Sequence, residues 1–147
     1  MDFELTEEQK LMRDTARNFS LKRIAPLLAE DEKAHRFRPE VVQEMGELGF
    51  FGAVIEDAYG GTGVGYLASA LMTMEVAQVS ASWGLPFNMQ MMGPALTIQR
   101  WGTDEQKRKY IPGLVSGKSL GCFAMTEPDT GSDVASMRAE ARAVKGG

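Results

Sequence analysis

The chain has 147 residues, one domain's worth, and its 44% hydrophobic and 24% charged residues match a globular protein with a modest core. A formal charge of −4 excludes a general nucleic-acid surface, because binding a phosphate backbone needs a basic face. The single cysteine, Cys122, excludes an internal disulfide, and no apolar run approaches the roughly 20 residues of a membrane span.

Asp2, Glu4, Glu7 and Glu8 argue against a signal or mitochondrial transit peptide, so the expected location is cytoplasmic. Thr6 followed by Gln9 reads as a capping box that opens a helix. That helix places Leu11, Met12, Thr15, Ala16 and Phe19 near one face, and Pro26 should end or kink it. Pro39 suits the first turn of a second helix, with Val42, Met45 and Leu48 in register and Gly49 as its stop. Residues 60–65 are a glycine loop. Residues 66–79 and 88–101 read as two long apolar helices, the second perturbed near its start by Pro94. Thr103 and Gln106 form another capping box, opening a short basic helix that stops at Pro112. After Ser119 the pattern turns to strand, first over 120–125 and then over 138–144, where Ala139, Ala141 and Ala143 alternate with charged residues. The fold class expected is mainly α, with strands only at the end.

The stretch from Phe123 to Asp133 carries the most chemical information. An apolar run of the kind that makes a buried strand meets Thr126, Glu127 and Pro128, and proline must end a strand or sit at its edge. Asp129-Thr130-Gly131-Ser132-Asp133 is dense in turn formers, and Gly131 is free to take a positive φ. From spacing alone the run is either an ordinary strand-to-loop junction or a turn whose hydroxyls and backbone N–H groups meet a ligand's polar edge or phosphate. Cys122, placed in the apolar run, reads as a small core residue rather than a nucleophile.

Other constellations read as structural. Gly61-Thr62-Gly63-Val64-Gly65 lacks the Gly-Lys-Ser/Thr ending of a phosphate loop. His35 is the only histidine, in a charged stretch without partners for a metal site or a triad, and no metal is expected. Arg100, Lys107, Arg108 and Lys109 read as a solvated helix face, and Met89, Met91 and Met92 as core.

The run Ala124-Met125-Thr126-Glu127-Pro128-Asp129-Thr130-Gly131-Ser132-Asp133-Val134-Ala135-Ser136 resembles the signature of the acyl-CoA dehydrogenases, FAD enzymes that desaturate acyl-CoA thioesters. Four more blocks resemble the same family in the same order: residues 5–9, 45–52, 59–63 and 102–112. The family's architecture implies a helical N-terminal domain over 1–119 and the opening of a middle β-domain over 120–147. Its C-terminal helical domain would be absent from this sequence.

What the resemblance implies about the site is specific. Phe123, Met125 and Thr126 would lie against the flavin, with Thr126 hydrogen-bonding its pyrimidine side. Gly131 and Ser132 would approach the FAD pyrophosphate, Ser132 would also contact the acyl-CoA, and Met89 and Gly93 would border the acyl pocket. No catalytic residue is expected here, because the family's Glu base belongs to the C-terminal domain; Glu127 belongs to the signature turn. Residues 46–51 and 120–123 look closest to the glutaryl-CoA dehydrogenase branch, whose members clamp a distal carboxylate with an Arg near the position of Gly84. Ser82-Trp83-Gly84-Leu85-Pro86-Phe87 offers no cation, so an uncharged acyl tail is expected. An electron-transfer flavoprotein would accept the electrons, and the complete protein would be a homotetramer. The chain itself is expected to be an inactive piece of such an enzyme, one part of a split enzyme, or a non-catalytic helical interaction module derived from the family.

Overall fold

The computed structural model describes residues 4–145, and the architecture is helical as expected. Among the described residues seven α-helices run in chain order: α1 (Glu7–Phe19), α2 (Leu28–Ala34), α3 (Pro39–Glu47), α4 (Tyr66–Val79), α5 (Ala81–Met92), α6 (Pro94–Trp101) and α7 (Asp104–Val115).

Both capping boxes form. Gln9 N–H donates to Thr6 Oγ1 at 3.2 Å while Thr6 N–H donates to Gln9 Oε1 at 3.0 Å, so two otherwise orphaned donors are satisfied at the start of α1. Thr103 and Gln106 repeat the exchange at α7, at 3.2 and 2.8 Å. Pro39 occupies the first turn of α3, and Gly49 ends that region with φ 76°, a conformation costly for a side chain. Pro26 acts on the chain before it: a π-helical turn over Ser20–Ile24 and a 3-10 turn over Ala25–Leu27 separate α1 from α2. A proline ring clashes with the carbonyl four residues earlier, so the helix widens upstream and Ala25 N–H reaches back to the Ser20 carbonyl.

Burial follows the helical periodicity. Ala68, Met72, Glu75 and Val76 form the inward stripe of α4, and Trp83, Phe87, Gln90 and Met91 that of α5. Phe50 sits fully buried between Phe19 and Phe87, its ring 5.9 Å from each in edge-on geometry. A second cluster joins Ile55, Ala95, Ile111, Leu114 and Val115 under α6 and α7.

Three bidentate ion pairs tie elements together. Arg17 on α1 donates to both oxygens of the buried Glu75 on α4, at 2.9 and 2.7 Å. Arg23 in the π turn meets Glu44 on α3 at 2.6 and 2.7 Å, and Arg38 meets Asp31 on α2 at 2.5 and 2.7 Å. The guanidinium hydrogen bonds hold the Asp31 and Glu44 carboxyls below the usual carboxylate range.

Several expectations need correction. The helix expected over 88–101 is two helices: α5 starts seven residues earlier under a Ser80 cap, tolerates Pro86 within it, and ends at Gly93. α7 continues past Pro112 to Val115, because the ring lies on the exposed side while Ile111, Leu114 and Val115 stay buried. Leu11 faces outward at 65% exposure rather than joining the α1 core face. Neither 120–125 nor 138–144 forms a strand ladder; among the described residues the β pairing is one isolated bridge, Glu127 to Thr130. A strand needs a neighbour to satisfy its backbone groups, and these stretches have none among the described residues. Cys122 is accordingly an exposed thiol and not a core residue.

Candidate functional site

The signature segment leaves the helical body over the corner between α5 and α6. Gly93 ends α5, and Pro94 opens α6. Gly121 passes so close to this corner that a Cβ there would stand 2.6 Å from Pro94 Cγ. Two residues later Phe123 lies over Gly93, where a Cβ would meet Phe123 Cε2 at 3.1 Å. The structure therefore brings Phe123 and Gly93, expected on the flavin and acyl sides respectively, into direct contact. Met89 is half-buried one turn earlier on α5, and its carbonyl accepts the Gly93 N–H at 2.9 Å.

Beyond Phe123 the segment faces solvent. Phe123 and Met125 are 45% and 46% exposed, and Thr126, Gly131 and Ser132 are exposed as well. Glu127 N–H donates to the Thr130 carbonyl at 2.8 Å, closing the turn, and Thr130 Oγ1 donates to the Asp133 carbonyl at 2.7 Å. The Glu127 carboxylate accepts the Arg138 N–H at 2.9 Å and the Ala139 N–H at 2.7 Å, tying the returning chain to the turn. That carboxylate is a structural acceptor, occupied by backbone donors.

The residues left open fit a flavin nucleotide. Phe123 supplies a flat apolar surface and Met125 a polarisable one. Among the described residues the Thr126 and Ser132 hydroxyls make no side-chain hydrogen bond within the fold, so both are available to a ligand. Gly131 does not take the positive φ open to it, and a Cβ there would make only ordinary contact with Thr126 Cγ2 at 3.7 Å. Nothing inside the fold demands glycine at 131, and its bare backbone admits close approach.

Residues outside the signature complete the picture. Gln90, buried on α5, holds the start of the segment through three hydrogen bonds to Leu114, Ser119 and Gly121. It escaped the sequence reading, although one polar residue within Met89-Gln90-Met91-Met92, on the stripe of Trp83 and Phe87, was the available signal. A cleft of about 300 Å³ lies beside the segment, lined by Pro94, Ile98, Tyr110, Leu114 and Cys122. The glycine loop is structural: Gly61, Thr62 and Gly65 donate their N–H groups to Glu56, Gly52 and Ala53 carbonyls at 3.1, 2.8 and 2.8 Å. A Cβ on Gly61 would collide with the Ile55 carbonyl. His35 is exposed at the end of α2, and among the described residues no group of three or more His, Cys, Asp or Glu could hold a metal ion. No described helix is long and apolar enough to cross a membrane.

Comparison with known proteins identifies the helical body. Residues 6–118 match the model of the acyl-CoA dehydrogenase N-terminal domain. The chain is 43% identical over 144 residues to a glutaryl-CoA dehydrogenase of Desulfococcus multivorans, covering 96% of this chain and 37% of that protein. It superposes with a TM-score of 0.88 and 43% identity on a glutaryl-coenzyme A dehydrogenase solved with glutaryl-CoA, covering 93% of this chain and 35% of that one. A chain in a structure reported for the electron transferring flavoprotein of Acidaminococcus fermentans gives a TM-score of 0.89 at 36% identity, covering 94% of this chain and 36% of that one. This chain thus spans about a third of the length of the relatives it matches. With a matched domain over most of its length and a signature turn presented on the surface, the chain belongs to the acyl-CoA dehydrogenase family.

Proposed function

We propose that this chain is the front of an FAD-dependent acyl-CoA dehydrogenase, supplying one wall of the site where an acyl-CoA thioester is desaturated between its α and β carbons. The observation that carries this reading is the placement of Phe123, Met125, Thr126 and Ser132 on an open surface that begins against Gly93 and the end of α5. FAD, when bound, supplies the acceptor for the hydride that leaves the β carbon. The chain's own residues bind and orient. Phe123 and Met125 offer packing surface, Thr126 donates or accepts at the pyrimidine edge, Gly131 and Ser132 receive the pyrophosphate, and Ser132 together with Met89 and Gly93 borders the acyl-CoA.

Removing the proton α to the thioester carbonyl needs a desolvated carboxylate base. Glu127 does not serve, since the Arg138 and Ala139 N–H groups occupy its carboxylate. The family resemblance assigns the base to a Glu of a C-terminal domain outside residues 1–147, joined to this chain or carried by a second one, in a homotetramer. An electron-transferring flavoprotein is the proposed acceptor, a reading supported by the likeness to the Acidaminococcus structure.

The acyl tail is proposed to be uncharged. Gly84 is buried where α5 crosses α4, and even a Cβ there would stand 2.8 Å from Ala77 Cβ. An arginine clamp at this position has neither a side chain nor room for one. Preferential turnover of a dicarboxylyl-CoA by the full-length parent would refute this substrate class.

The direct test is the visible absorption spectrum of the purified chain before and after FAD is added and free flavin is removed. Retained flavin, lost in a Thr126→Val and Ser132→Ala double variant, is the expected result. A stable, colourless, partner-binding monomer that retains no flavin would contradict the proposal and favour the non-catalytic interaction module.

A further inference from the structure

Gln90 is a side-chain amide buried to 4% exposure in an otherwise apolar stripe of α5. Its Nε2 donates to the Leu114 carbonyl and the Ser119 carbonyl, both at 2.8 Å, and its Oε1 accepts the Gly121 N–H at 3.0 Å. The orientation of the amide is fixed by chemistry: two carbonyls require the NH₂ group, and a backbone N–H requires the oxygen. One side chain thus joins the end of α7 and the first residues of the signature segment to the helix that carries Met89 and Gly93. The adjoining contacts have little slack: a Cβ on Gly121 would stand 2.6 Å from Pro94 Cγ, and one on Gly93 would press on Phe123 Cε2 at 3.1 Å. Beyond them the segment is exposed and held by bonds within its own turn.

We propose that Gln90 is a positioning residue: it locks residues 119–121 onto the α5–α6 corner and so sets where the wall of Phe123, Met125 and Thr126 stands relative to Met89 and Gly93. The proposal rests on the flavin-site reading above, but its mechanical part stands on the three hydrogen bonds alone. Gln90 touches neither reactant. It acts through Gly121 on the residues that do. A buried network of this kind holds one arrangement when every member is satisfied and loosens when one is not.

The test uses the 147-residue chain and two variants of near-equal volume. Gln90→Met removes all three hydrogen bonds. Gln90→Glu keeps an acceptor for Gly121 but turns a carboxylate toward two carbonyls. Amide-exchange protection is followed at the Ser119 and Gly121 N–H groups, which donate to the Gly113 carbonyl and to Gln90, and in α1 as an internal control, together with FAD retention. In Gln90→Met, protection at Ser119 and Gly121 is expected to fall by about tenfold while α1 keeps its own, and FAD affinity is expected to fall in parallel. In Gln90→Glu the loss is expected to be at least as large at neutral pH and to recover in part on acidification, when the protonated carboxyl again donates to one carbonyl; a role in packing volume alone gives no such recovery.

Wild-type protection at Ser119 and Gly121 in a folded Gln90→Met variant would overturn the proposal, as would loss of protection in Gln90→Glu with no dependence on pH. A wild-type chain that retains no FAD while Gln90→Met still loosens 119–121 contradicts the flavin reading and upholds the clasp. If Gln90→Met fails to fold, the pH response of Gln90→Glu decides the matter by itself.

Discussion

The helical body and the signature segment differ in where their side chains point. In the body, Phe50, Phe51, Met45 and Met72 are 0–1% exposed, and charged residues such as Glu75 and Asp31 meet arginines in two-point contact. In the segment, Leu120, Phe123, Met125 and Val134 are 45–54% exposed, and the hydrogen bonds past Gly121 close within the turn and the chain returning to it. The body buries these large side chains in itself, although Leu11, Tyr66, Leu85 and Trp101 stay exposed on its surface. The segment sets exposed apolar side chains beside the unpartnered Thr126 and Ser132 hydroxyls and the bare backbone of Gly131. One chain thus carries both a packed core and a segment whose side chains find few partners inside the fold.

That contrast can be broken by paired substitutions read in urea denaturation. Phe50→Ala should cost about 3–5 kcal/mol, because the cavity between Phe19 and Phe87 cannot fully collapse. Phe123→Ala, an aromatic of the same kind, should change stability by less than about 0.5 kcal/mol while reducing FAD retention. Equal costs would mean that the segment is part of the core.

Glycines give a second pair. Gly84→Ala forces a methyl to 2.8 Å from Ala77 Cβ and should cost about 1–3 kcal/mol, whereas Gly131→Ala meets only ordinary contact and should be close to neutral in the denaturation midpoint. Removing a cap is smaller again: Thr6→Ala or Thr103→Ala should each lower stability by about 1 kcal/mol through loss of a capping box.

The ion pairs add a pH dependence confined to the body. Asp31 and Glu44 have carboxyls lowered first by their arginine hydrogen bonds. A lowered folded pKa contributes stability that is complete above the unfolded carboxylate value, about 4, and is lost as pH falls through the folded one. The midpoint should therefore drop on acidification, and Arg38→Gln with Arg23→Gln should flatten that drop. Glu44 and Arg23 are more than a third exposed, so their share should be modest and weaken in salt. An unchanged acid slope in the double variant would exclude these pairs as its source.

Much of this was legible in the chain. Capping boxes at Thr6 and Thr103, Pro39, Gly49 and the extent of α4 are local signals, and the structure bears them out. The break at Gly93 and the continuation through Pro112 were not legible, because tertiary burial of Ile111, Leu114 and Val115 outweighs one lost helical hydrogen bond. The strands expected over 120–125 and 138–144 failed for a related reason: an apolar run encodes a tendency to pair, and pairing depends on a neighbour. The Arg17–Glu75 contact spans 58 positions, beyond the reach of any periodicity, and Gln90 showed itself only as a polar residue in an apolar stripe. The signature residues were recognisable from their order, but their exposure and the direct contact of Phe123 with Gly93 emerge only from the fold.

The most direct test of the central claim is the amide-exchange profile of the chain with and without FAD. The account predicts added protection at 123–132 and at the end of α5 around Met89 and Gly93, with α1 and α3 unchanged. Protection that changes nowhere, or only within the helical body, would contradict a flavin wall in the signature segment.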